Sequence, residues 1–96
     1  MTDYEQIFLS SGQEKQKLTI ALKRFSETEE TDWQNRYQTY LRTRFRPAMT
    51  ELIRNGDLGR IRKLCSFATL TAPALEQFIQ EASASGQTEI LTFLLR

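Results

Sequence analysis

Histidine is absent from the 96 residues and cysteine occurs once. A zinc site of the usual Cys/His kind therefore lacks its ligands, a disulfide framework lacks its partners, and every histidine-based acid–base mechanism lacks its base. Glycine occurs four times and proline twice, too seldom for a turn-rich β-fold or a low-complexity chain. No apolar run nears the ~18 residues a membrane helix requires, and Met1 to Ser10 shows no basic and apolar leader. We therefore expect a cytoplasmic protein that neither spans nor anchors in a membrane, with no metal or other cofactor.

What is present is ordinary for a small folded domain. Hydrophobic residues make up 40% and charged residues 26%, which argues against a disordered polyelectrolyte. The net charge of +1 is unevenly spread. Residues 1–35 carry a net of −3, residues 36–63 a net of +6, and residues 64–96 a net of −2. Mutual neutralisation within a helical bundle accounts for this pattern, and an anion-binding surface is the alternative.

Apolar residues recur at helical spacing throughout, so the expected fold is all-α, with five or six short helices. Thr2 with Glu5, Ser11 with Glu14, and Thr31 with Gln34 have capping-box spacing at three helix starts. The second helix runs to about Phe25 with Leu18, Ala21, Leu22 and Phe25 inward. The third carries the longest stripe, from Trp33, Tyr37 and Tyr40 through Leu41 and Phe45 to Ile53. Its phase continues across Pro47, which implies one kinked helix or two helices meeting near Arg46. On a continuous wheel Arg44 falls 20° from both Trp33 and Tyr37, among the aromatics. Asp57 caps the next helix, with Leu58, Ile61, Leu64 and Cys65 inward. Thr71 caps another, with Pro73 in its first turn and Leu75, Phe78, Ile79 and Ala82 inward. Gly86 ends it, and Ile90, Leu91, Leu94 and Leu95 form the inner side of the last. The expected organisation is a single helical domain over 1–96, with N-terminal helices in 1–30 and two helix-pair units in 31–96.

Shifting the chain by 30 residues aligns Gly56 with Gly86, Leu52 with Ala82, Ile61 with Leu91 and Leu64 with Leu94. Two similar helix–turn–helix units are what a solenoid needs, since one pair alone cannot bury its apolar side. The segment Leu75 to Leu95, LEQFIQEASASGQTEILTFLL, resembles the helix pair of an ankyrin repeat. Ala82, Gly86, Glu89, Ile90, Phe93, Leu94 and Leu95 occupy the corresponding places, and Arg54 to Cys65, RNGDLGRIRKLC, echoes the same turn. The family's Thr-Pro-Leu-His start is replaced by Thr71-Ala72-Pro73-Ala74-Leu75. The resemblance implies two stacked helical hairpins serving as a binding scaffold without chemistry of its own. A generic antiparallel bundle accounts for the same positions.

Catalysis finds few candidates. The acids Glu27, Glu29, Glu30 and Asp32 crowd a linker at a helix start, where the dipole favours them, and lack the spacing of a calcium loop. Cys65 lies on an apolar side, where burial makes a thiol inert. No phosphate loop or nucleophile elbow is present. The expected function is that of a non-catalytic protein-interaction module, with a protein partner or a second copy of the chain. The alternative is an anion or nucleic-acid binder built on the basic 36–63 segment, with Arg42, Arg46, Arg60, Arg62 and Lys63 as its candidate residues. A pI of about 7.9 and the missing helix-turn-helix argue against nucleic acid. Phe93 lies off the centre of its helix's apolar stripe and is the candidate residue for self-association as a homodimer.

Overall fold

A computed structural model describes residues 3–96 and contains seven α-helices among them: α1 (Tyr4–Ser10), α2 (Glu14–Arg24), α3 (Thr31–Thr43), α4 (Phe45–Asn55), α5 (Leu58–Phe67), α6 (Ala72–Ala84) and α7 (Thr88–Leu94). The all-α expectation holds. The count of five or six is corrected to seven, because the long aromatic segment is two helices. The chain folds as two compact units, Met1–Thr43 and Arg44–Arg96.

The interruption falls at Arg44, whose backbone (φ −122°, ψ 38°) leaves the helical region. Pro47 explains it. A proline clashes with the carbonyl four residues back, here that of Thr43, and cannot donate to it. Ending α3 at Thr43 puts Pro47 in the first turn of α4, where helical N–H groups have no intrahelical partner anyway. The wheel that put Arg44 among the aromatics assumed an unbroken helix, so it does not apply.

In the first unit α2 packs against both α1 and α3. Asp3 caps α1, its carboxylate accepting from the Gln6 N–H at 3.1 Å. Thr2, expected in that role, lies outside the described residues, and Glu5 is engaged elsewhere. The Ser11–Glu14 capping box does not form. Ser11 Oγ accepts from the Gln13 N–H at 3.1 Å and donates to Gln16 Oε1 at 2.7 Å, a local turn ahead of the helix. At α3 the Gln34 side chain does reach back, but to the Thr28 carbonyl at 2.8 Å. Thr28 is itself buried and its hydroxyl accepts from the Glu30 N–H at 3.3 Å. The core of this unit is Phe8, Ile20, Ala21, Leu22, Phe25, Tyr37 and Leu41. Phe8 meets Tyr37, Tyr40 and Trp33 edge to face at centroid distances of 5.0, 5.1 and 6.3 Å, the geometry aromatic quadrupoles favour.

In the second unit α4 packs on α5 and α6, and α6 packs on α7. Asp57 and Thr71 cap α5 and α6 as expected, accepting from the N–H groups of Arg60 and Ala74. Helices α4 and α6 end in the same way. Gly56 (φ 70°) and Gly86 (φ 68°) take the left-handed conformation, and each glycine and the residue after it close the same bonds. Gly56 and Asp57 donate to Ile53 and Leu52, and Gly86 and Gln87 to Ser83 and Ala82. This pairing of C-terminal carbonyls needs a residue without a Cβ penalty at the turn. The core comprises Phe45, Ala48, Met49, Leu52, Ile53, Ile61, Leu64, Ala74, Phe78, Ala82, Ile90 and Leu94, with Phe45 and Phe78 edge to face at 5.6 Å.

Two inward assignments are corrected. Leu95 is 63% exposed, because α7 ends at Leu94 and the stripe stops with it. Cys65 is half-buried rather than enclosed, one position off the line through Ile61 and Leu64.

Candidate functional site

The five candidate bases divide between the units. Arg42 is exposed in the last turn of α3, and the other four belong to the second unit. Arg46, at the start of α4, donates from Nη1 to Gln77 Oε1 of α6 at 3.2 Å. Arg60 is half-buried and pairs with Asp57 at 2.9 Å. The Arg62 guanidinium lies 5.7 Å from the centroid of the Phe93 ring, so the candidate self-association residue has a cation against it and is half-buried. Lys63 is exposed one turn beyond Arg60. A further base, Arg54, pairs with Glu81 across α4 and α6 at 2.9 Å. Three of the four second-unit candidates thus already serve contacts within the chain.

A different arrangement stands on the first unit, and the sequence reading missed it. Phe8 of α1, Lys17 of α2, and Asn35, Arg36, Thr39 and Tyr40 of α3 line an open depression of about 440 Å³, mostly apolar in its walls. The spacing of 35, 36, 39 and 40 sets one face of α3 toward it, while Trp33, Tyr37 and Leu41 follow the neighbouring face inward. The Lys17 ammonium sits 5.1 Å from the Phe8 centroid and 6.0 Å from that of Tyr40. The Arg36 guanidinium lies 5.2 Å from the Trp33 ring. Such cation–ring contacts are worth roughly 0.5–1 kcal/mol at exposed sites. Neither cation has a carboxylate within ion-pair distance among the described residues. Tyr40 donates its hydroxyl to Glu14 Oε1 at 2.8 Å, which fixes the ring, and burial pushes its phenol pKa up.

The same unit holds a polar triad. Glu5 Oε1 accepts from Arg24 Nη2 at 2.9 Å, and Glu5 Oε2 accepts from Arg24 Nε at 3.2 Å and from the Tyr37 hydroxyl at 3.0 Å. Tyr37 is fully buried. Burial, then the bond to Glu5, raises its pKa far above the usual tyrosine range. The bond to Glu5 also raises that of Arg24. The triad ties α1, α2 and α3 together and leaves no buried side-chain polar atom unsatisfied among the described residues. Its members are at sequence separations of 19 and 32 residues, which no local motif signals.

Among the described residues no group of three or more acidic or cysteine side chains is placed to hold a metal ion, and no helix is long and apolar enough to cross a membrane. Compared with known proteins, the chain matches no family model, no curated protein and no solved structure.

Proposed function

We propose that this chain is a non-catalytic protein-interaction module that receives its partner in the depression lined by Phe8, Lys17, Arg36 and Tyr40. One observation carries the reading: two cations without carboxylate partners, Lys17 and Arg36, stand at an open and mostly apolar depression whose walls include Phe8 and Tyr40. Small-molecule sites commonly enclose 70–90% of their ligand, and chemistry gains from excluding water. An open depression does neither, but it suits side chains projecting from another protein. The basic 36–63 segment supports an anion-binding reading less well, because Arg46, Arg60 and Arg62 are occupied by Gln77, Asp57 and Phe93.

We also read α4–α5 and α6–α7 as one helix pair used twice, in the manner of ankyrin-like hairpins. The matching left-handed glycines and closing bonds 30 residues apart support this, as does the packing of α4 on α6. A second copy of the chain is the other partner to consider, since Leu95 stands exposed near the half-buried Phe93. Concentration-dependent sedimentation abolished by Phe93→Lys supports that contact, and a strict monomer at high concentration refutes it.

The depression is tested by a photoreactive residue in place of Thr39, which is exposed at its wall, with one at Ser85 as control. Crosslinks to a discrete protein in an extract of the native source from position 39, and not from 85, support the reading. Failure of position 39 to crosslink overturns it.

A further inference from the structure

We propose that the occupant of this depression is an acidic peptide segment that carries a bulky apolar side chain beside its carboxylates. The inference rests on the interaction reading above and names the chemistry of the partner. Lys17 and Arg36 stand at the depression without a carboxylate of their own, so an incoming carboxylate supplies the charge both lack. Because both are held against aromatic rings, they are partly ordered before the partner arrives, which lowers the entropy lost on pairing. The mostly apolar walls give an adjacent leucine, phenylalanine or tryptophan side chain something to cover, and that burial supplies affinity while the charges set orientation.

A nucleic-acid strand meets this surface less well, although it too offers negative charge and flat rings. Residues 1–43 hold seven acids and six bases, a net of −1, so a polyanion gains no general attraction to the unit. Glu14 stands beside Tyr40 and opposes any phosphate tracking past it. One or two carboxylates can pair with Lys17 and Arg36 and meet the Glu14 charge only once, whereas a strand adds a phosphate at every step; the more distant repulsion is screened within about 8 Å at physiological salt.

The test is selection from a random 12-residue peptide library on the immobilised full chain, followed by affinity measurement on the enriched sequences. Enrichment of Asp or Glu next to Leu, Phe or Trp is expected. Binding should weaken at least tenfold in Arg36→Glu and in Lys17→Glu. It should survive in Arg36→Lys and Lys17→Arg, with helicity by circular dichroism unchanged in all four. Enriched peptides without acids, affinities indifferent to Arg36→Glu, or tighter binding of a single-stranded 12-nucleotide probe each overturn the proposal. An empty selection overturns it as well. The crosslink from position 39 is read separately, so a partner captured there without acidic selectivity leaves the interaction reading standing while this inference falls.

Discussion

Tyr37→Phe removes one oxygen from the contact that joins Glu5, Arg24 and Tyr37 in the first unit and leaves the ring in place. The ring is fully buried, 5.0 Å from Phe8 and 5.4 Å from Trp33 by centroid, so no cavity larger than the lost oxygen opens. What goes is a 3.0 Å bond to the Glu5 carboxylate. Hydrogen bonds to charged groups are worth about 1.5–3 kcal/mol. Glu5 keeps both bonds from Arg24, and its side chain is 19% exposed, so water recovers part of the loss. We expect a cost of about 1–2 kcal/mol at pH 7. The pH dependence supplies a sharper check. The folded pKa of Tyr37 lies above its ordinary value of 10.0, so the stability linked to its proton is fully present below pH 10. As pH rises further the unfolded state releases the proton first and that stability is lost. The Phe variant has no such proton, so the gap between the two proteins should close above pH 10. Urea unfolding followed by the fluorescence of Trp33, the sole tryptophan, reads the first unit directly. A gap that is absent at pH 7, or that persists undiminished at pH 11, refutes the reasoning.

Phe78→Ala should cost about 3–5 kcal/mol, because a fully buried ring that meets Phe45 edge to face is deleted; limited proteolysis of the second unit should accelerate accordingly. Gly86→Ala forces a Cβ into the left-handed region at a cost of about 1–2 kcal/mol. Gly56→Ala should cost at least as much, since its new Cβ would also stand 3.1 Å from the Gln87 side chain, whereas Gly12→Ala meets nothing and should leave the thermal midpoint unmoved. Cys65 is half-buried and burial raises its thiol pKa, so a small maleimide should label the native protein measurably but more slowly than the urea-unfolded chain. Equal rates, or none in the native state, contradict that placement.

Much of the fold was legible because it rests on short-range chemistry. Asp57, Thr71, Gly56 and Gly86 stop or start helices through bonds that span two to five residues, and any sequence window contains both ends of such a bond. The errors arise where a window cannot see the competitor. Ser11 and Glu14 have the spacing of a capping box, yet Glu14 is engaged by Tyr40 26 residues away. Glu5 is taken by Arg24 and Tyr37. A carboxylate near two possible partners goes to the donor that packing brings into good geometry, and a charged or hydroxyl donor outcompetes a backbone N–H at a helix start.

Lys17 shows the same limit at the candidate site. Read along α2 alone it is one more base on a solvent side, available for surface pairing. Its position three and four residues before Ile20 and Ala21, both buried, was the local sign that it borders the apolar face. Whether a border lysine turns out to water or lies along an apolar surface depends on what the neighbouring helices present. Here they present Phe8 and Tyr40, two rings that are not adjacent in sequence and that α1 and α3 bring within 5.1 Å of each other. The cation is drawn over their faces, and a residue with no individual signature becomes part of the wall of a depression. The site is therefore a property of three helices at once, while the charge arithmetic that favoured residues 36–63 sampled one stretch of chain at a time.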